Sequence, residues 1–188
     1  MRAWSICIRD PRVVTDANTA AIAEGGTSAR YGSAACDDTS WSAVSGGGFI
    51  ATSGSWIAAT WLLDLPADGD TVPDNAWGAS VHDGSGGLGG AEVDVVCARG
   101  RSFRYVASAA RPLPAGALRS FRVACPARRH VVGGGANVIG TADEVRLFAS
   151  HPYDGPDADR IPDDGWRVRL ARADATPPGA VQVWAVCA

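Results

Sequence analysis

Val123-Ala124-Cys125-Pro126-Ala127-Arg128-Arg129-His130-Val131-Val132-Gly133-Gly134-Gly135-Ala136-Asn137-Val138-Ile139-Gly140 is the stretch whose reading decides the fold. It reads as a strand ending at Cys125, a turn marked by Pro126, a second short strand and then three glycines. An earlier copy is visible in Ala35-Cys36, then Trp41 to Val44, then Gly46-Gly47-Gly48-Phe49. A glycine triplet at the end of a β run marks a backbone that needs positive φ or close approach by another chain.

Working outward, Cys7, Cys97 and Cys187 are spaced 90 residues apart. They sit in Ala3-Trp4-Ser5-Ile6-Cys7, Val93-Asp94-Val95-Val96-Cys97 and Val183-Trp184-Ala185-Val186-Cys187, each an alternating strand. A fixed period with similar residues is a repeat signature. A second shared pattern is Leu65-Pro66-Ala67-Asp68-Gly69 followed by Val72-Pro73-Asp74-Asn75-Ala76-Trp77. Its counterpart is His151-Pro152-Tyr153-Asp154-Gly155 followed by Ile161-Pro162-Asp163-Asp164-Gly165-Trp166.

These patterns predict an all-β protein of two tandem pseudo-symmetric antiparallel units, sandwich- or prism-like, over residues 11–98 and 99–188. Each unit runs through an opening strand (12–15; 103–107) and a strand into Cys36 or Cys125. The glycine triplet and a further strand (56–63; 144–150) follow. An acidic loop, a strand from Trp77 or Trp166, and a closing strand complete it. Residues 15–24 are Ala-rich and form the one helical candidate, or an irregular connection. Met1 to Ile8 reads as the closing strand of an incomplete or permuted unit. It either completes the first sheet or pairs with another chain, since unpaired edges recruit partners.

Composition agrees: 188 residues, 46% apolar, with 23 glycines and 11 prolines. Net charge is −3, which argues against nucleic acid as the main partner; every basic residue is arginine, a usage to which no function is attached. No apolar run approaches the roughly 18–20 residues of a membrane helix, and Met1 to Arg9 is too short for a signal peptide. The chain therefore reads as cytoplasmic or as a mature protein whose leader was replaced by Met1. Pairing Cys36 with Cys97 and Cys125 with Cys187 would close loops of about 60 residues, worth roughly 4 kcal/mol each in the chain-entropy view. Cys7 is left over as a free or intermolecular thiol. Disulfides place the protein outside the cell; the alternative is five reduced, buried cysteines.

Cys125-Pro126, Val131-Val132-Gly133-Gly134-Gly135-Ala136, Ser150 with Pro152, Gly165-Trp166 and Ala185-Val186-Cys187-Ala188 resemble a module of secreted actinobacterial proteins. A similar module closes some bacterial collagen-like proteins. Residues 104–188 match the pattern throughout. Residues 12–98 match more loosely, with Asp37 for the proline, Ala76 for the glycine before Trp77 and Phe49 for the alanine after the triplet. The resemblance implies a secreted β module with one disulfide per unit, and it carries over no established enzymatic activity or ligand.

Candidate chemistry is sparse. Asp154, Asp157, Asp159, Asp163 and Asp164 crowd one loop, and Asp64, Asp68, Asp70 and Asp74 another. Oxygen-rich loops can hold Ca²⁺, but the D-x-[DN]-x-[DN]-G loop is missing and Asp-Gly and Pro-Asp pairs also build turns. Trp77, Trp166, Trp4 and Trp184 hold repeat-fixed positions that suit a core. Trp41, Trp56 and Trp61 have no tryptophan counterpart, so they are candidates for a binding face. His82, His130 and His151 form no metal-spaced pair. Ser85 near His82 and Asp83 lacks a G-x-S-x-G turn. The expected function is a secreted, non-enzymatic binding or assembly module for a protein or carbohydrate partner, lectin-like in one form. The alternative is a small-molecule enzyme with a pocket between the units, using His82, Asp83 or the acidic loops.

Overall fold

The computed structural model describes residues 13–22, 29–51, 53–65, 72–82, 90–140, 144–156, 159, 161–173 and 179–188. The expectations for Met1 to Ile8, with Trp4 and Cys7, and for Asp68, Asp70, Asp83, Ser85 and Asp157 fall outside these residues.

The described residues form thirteen strands and no helix. In chain order these are β1 (Val14–Ala21), β2 (Ala29–Ala35), β3 (Ser42–Ile50), β4 (Trp56–Leu63), β5 (Ala76–His82) and β6 (Ala91–Arg99). The second half contributes β7 (Arg104–Ala107), β8 (Arg111–Leu113), β9 (Arg119–Ala124), β10 (Val131–Ile139), β11 (Val145–Tyr153), β12 (Gly165–Arg172) and β13 (Gly179–Cys187).

All pairings are antiparallel. β6 lies between β1 and β3, and β5 between β2 and β4. In the second half β13 lies between β7–β8 and β10, and β12 between β9 and β11. β4 and β10 then pair at Thr60 and Ala136, so β2-β5-β4-β10-β13-β7 is one continuous sheet. It crosses the boundary between the two sequence repeats.

The outer sheets cover opposite faces of this central sheet. β1-β6-β3 packs on one face, where Trp77, Ala79, Val81 and Leu62 meet Val93, Val95 and Cys97. β9-β12-β11 packs on the other, where Val181, Val183 and Ala185 meet Phe121, Val168 and Leu170. β13 faces both cores, since Val186 joins the first while its alternate residues fill the second. Period-two alternation therefore runs apolar on both faces of this strand, as burial on both sides requires. β4 seals the second core with Ala58 and Ala59. Tyr105 of β7 reaches back to the first half, its hydroxyl donating to the Ala43 carbonyl at 3.2 Å. Burial raises the Tyr105 phenol far above its ordinary value, so it remains a proton donor.

The predicted disulfides are present: Cys36–Cys97 and Cys125–Cys187, separated by 61 and 62 residues. Two disulfides in an all-β chain fit an oxidising, extracellular setting. Among the described residues no helix is long and apolar enough to cross a membrane.

Two details depart from the sequence reading. The Ala-rich candidate helix begins with strand β1, paired with β6 from Val14–Arg99 to Ala21–Glu92. Its Asn18 and Ala20 turn inward while Thr15, Ala17 and Thr19 face out, and tertiary pairing overrides the weak helical preference of alanine. The glycine triplets lie inside β3 and β10, not at strand ends, and none of their glycines has positive φ.

Close approach is what these glycines provide. A Cβ on Gly46 would overlap the Trp77 ring and one on Gly134 the Trp166 ring. Register counted from the disulfides makes Ser45-Gly46-Gly47-Gly48 the counterpart of Gly133-Gly134-Gly135-Ala136. The triplets are thus offset by one residue, and Gly48, not Phe49, stands in the place of Ala136.

Candidate functional site

The outward face of β2-β5-β4 carries the most distinctive chemistry of the first half. On β5, Trp77, Ala79 and Val81 point into the core, so Gly78, Ser80 and His82 point the other way. Cross-strand register places Trp56 beside His82, Tyr31 and Ala59 beside Ser80, and Trp61 beside Gly78. The result is an aromatic ledge next to edge strand β11.

Each ring has a defined seat. Trp61 lies across Gly78, where an added Cβ would come within 3.1 Å of its ring. Tyr31 meets Trp61 edge-on, with centroids 6.3 Å apart and planes at 75°, a favoured aromatic geometry. Tyr31 is 61% exposed, which makes it the most open ring of the group. His82 stacks on Trp56 at 4.0 Å and 11°. The Arg146 guanidinium also lies 4.0 Å from that ring centroid, so the two occupy opposite ring faces. The Trp56 indole N–H donates to the Val145 carbonyl at 2.8 Å. Trp56 is therefore engaged on both faces and at its edge, and it ties the ledge to β11.

Beneath the rings sits an unusual polar group. Ser80 is fully buried, and its hydroxyl has no hydrogen-bond partner among the described residues. Nδ1 of His82, two residues along the same face, is also buried without one. An unpaired buried polar group costs about 1–3 kcal/mol, so two adjacent ones call for a reason.

The other expected residues lie elsewhere. Trp41 sits beside the Cys36–Cys97 bridge under the Arg99 guanidinium, 4.7 Å from its ring centroid. There Asn18 donates to the Asp37 carboxylate at 2.7 Å and to the Ala35 carbonyl at 3.0 Å. The adjoining recesses, beside Trp41 and beside Asn75, measure about 10 and 40 Å³, room for about one water and for a few waters respectively. Trp77 and Trp166 are buried, as their repeat-fixed positions predict.

In the acidic loop Asp154 is exposed. Asp159 accepts the Ile161 amide at 2.7 Å, and Asp164 the Gly155 amide at 2.5 Å. Asn75 has the matching post in the first half, bonding the Leu65 amide and carbonyl at 2.7 Å each. The repeated Pro-Asp-(Asn/Asp)-x-Trp pattern thus supplies loop braces. Among the described residues no group of three His, Cys, Asp or Glu side chains converges to hold a metal. His130 pairs with Asp163 at 2.7 Å, and His151 Nδ1 lies 2.6 Å from the Pro152 carbonyl.

Sequence reasoning singled out Trp56 and Trp61, which the structure places on this ledge, but not Tyr31 and Ser80 beside them. Their one signal is alternation across Tyr31-Gly32-Ser33 and Gly78-Ala79-Ser80-Val81-His82, which needs the strand register to be read. No protein-family model matches the chain, and no curated protein is significantly similar to it.

Proposed function

We propose that the protein is a secreted, non-enzymatic binding or assembly module that recognises a protein or glycan partner through the Tyr31–Trp61 ledge. The observation that carries this reading is the aromatic pair set beside a buried, unpartnered Ser80 hydroxyl. The open Tyr31 ring and the half-buried Trp61 ring beside it gain from stacking against an apolar ring or sugar face. The recurring strand order supports two tandem pseudo-symmetric units, and the disulfides support export. The likeness to the secreted actinobacterial module rests on the motifs quoted above. Met1 to Ile8, with Cys7, offers a second route to assembly, as an added strand or a covalent bridge.

The test is a glycan array probed with oxidised full-length protein, with and without EDTA, beside Tyr31→Ala and Trp61→Ala. Wild type binds a defined glycan set and each variant loses about tenfold or more in affinity. Equal binding by wild type and Trp61→Ala would remove the ledge as the site. Loss in EDTA would assign a role to calcium.

A further inference from the structure

The outer face of β9-β12-β11 gathers four arginines. Trp166, Val168 and Leu170 turn into the core, so Gly165, Arg167 and Arg169 face out. Register sets Arg122 and His151 on either side of Arg167, while Arg146 faces Ala171 at the far end. Arg122, Arg146 and Arg169 are exposed and Arg167 half-buried.

Among the described residues carboxylates lie at the margins of this face. Glu144 lies one row beyond Arg146, where its carbonyl accepts the Ala173 amide. Asp154 follows Tyr153, and Asp163 and Asp164 precede Gly165, engaged by His130 and the Gly155 amide. Among the described residues no carboxylate pairs with Arg122, Arg167 or Arg169. Like charges directly opposite each other on paired strands repel. A chain with 20 acidic residues and net charge −3 nonetheless carries this concentrated positive face.

The face is also braced. The Tyr153 ring lies across Gly165, where an added Cβ would come within 2.7 Å of it. Arg122 and Arg167 reach over that ring, 5.6 and 5.2 Å from its centroid. Stacking holds planar guanidinium forks in place and reduces the order they must gain on binding.

We infer that this face binds an acidic polysaccharide, its sulfate or carboxylate groups held by Arg122, Arg167 and Arg169. Across strands these residues stand about 5 Å apart and along β12 about 7 Å, a spacing for repeated anionic groups on an extended chain. A polynucleotide fits less well. Single strands are held by successive bases stacking on a series of open aromatic rings, and here Tyr153 is buried beneath the arginines while Phe148, on edge strand β11, is the one open ring among the described residues of this sheet. The inference rests on the reading as a binding module and gives a second face its partner chemistry. Arg146, stacked on Trp56, joins this face to the ledge.

The test measures binding of oxidised full-length protein to immobilised dextran sulfate, polygalacturonate, neutral dextran and single-stranded DNA across a salt series. Dextran sulfate, polygalacturonate or both bind, neutral dextran binds more weakly, and affinity falls with salt. Binding to one acidic polymer alone assigns sulfate or carboxylate and supports the inference equally. The Arg122→Gln/Arg167→Gln/Arg169→Gln variant loses about tenfold or more, and the exposed single variant Arg169→Gln about threefold. Arg101→Gln, at an exposed turn, leaves binding unchanged. Full binding by the triple variant, or binding to neither acidic polymer, overturns the inference. Tighter binding to DNA than to the acidic polysaccharides reassigns the face to polynucleotides. Loss in Trp61→Ala with full binding in the triple variant sinks this inference and leaves the ledge standing.

Discussion

On β2-β5-β4 the row through Ser80, on the face away from Trp77, reads Tyr31, Ser80, Ala59, with Tyr31 open and the other two buried; on β9-β12-β11 the row at the same distance from the core tryptophan reads Ser120, Arg169, Ala149. One row nearer the tryptophan, Ser33, Gly78 and Trp61 stand where the second half has Arg122, Arg167 and His151. At the far end Trp56 holds the place of Arg146, and those two side chains meet. The inward rows differ far less: Trp77 and Trp166, Val81 and Leu170, Cys36–Cys97 and Cys125–Cys187 do the same work. Packing constrains a residue that faces the core, because a volume change of one methylene is felt there. A residue that faces out answers to whatever it meets. The two halves therefore share a scaffold and diverge in surface chemistry, one aromatic and one cationic.

Removing the bridges tests the shared scaffold with the largest expected effect. The double variants Cys36→Ala/Cys97→Ala and Cys125→Ala/Cys187→Ala each release a loop of 61 or 62 residues, for a loss of about 4 kcal/mol by chain entropy. Urea unfolding followed by circular dichroism should show nearly equal losses. Each variant should also keep one transition, because the central sheet runs from β2 through β4 and β10 to β7. A two-step curve would break the comparison, since it would make the halves separate folding units.

The glycines sharpen it at their junction. Gly47 and Gly135 occupy the same register, opposite Asp94 and Trp184. A Cβ on Gly47 meets nothing within 4 Å, whereas one on Gly135 would overlap the Thr60 carbonyl oxygen of β4. Gly135→Ala should cost about 2–3 kcal/mol by forcing β4 and β10 apart. Gly47→Ala should be neutral or stabilise by up to about 1 kcal/mol, as alanine does in a strand interior. Thermal melts of both variants check this, and equal losses would mean that Gly47 also lies against a neighbour.

Those glycines also show why the sequence was legible in one direction only. Core-facing residues recur at a fixed spacing, so the cysteines, Trp77 with Trp166, and the Pro-Asp loops pointed to the β class and the bridges. In sequence the triplets align as Gly46–Gly48 with Gly133–Gly135, yet the backbone aligns them one residue apart, because register is set by pairing with β6 and β13. β1 was obscured because Thr15, Ala17 and Thr19 give an outward face with little contrast to Asn18 and Ala20. The arginine face was harder still. Arg122, Arg167 and Arg169 are distant or alternate in the chain, they become neighbours only through strand pairing, and the overall charge of −3 conceals them.

The smallest expected effect separates the two turns that follow the first cysteine of each bridge. In the second half Pro126 begins the turn and its carbonyl accepts the Arg129 amide at 3.1 Å. In the first half the turn starts one residue later, so Asp38, and not the Asp37 that directly follows Cys36, holds that place, its carbonyl accepting the Trp41 amide at 3.1 Å and its carboxylate the Ser40 amide at 2.7 Å. Proline restricts its own φ and asks nothing of pH; aspartate must stay ionised to brace the turn. The Ser40 amide, and after it the Ser40 hydroxyl, hold the Asp38 carboxyl below its ordinary 3.8, with Arg99 adding a smaller pull. Because the folded value is the lower one, the bracing is complete above the ordinary value and is lost as pH falls through the folded one. In an acid titration from pH 5 to 2, the Ser40 amide resonance should move with an inflection below 3.8, and Asp38→Asn should abolish that inflection. The Arg128 amide, which stands where the Ser40 amide does, has Pro126 in place of the aspartate and should not follow the same curve. If both amides shift together, the two turns respond to a common acid-induced loosening, and the local difference between aspartate and proline has no separate consequence.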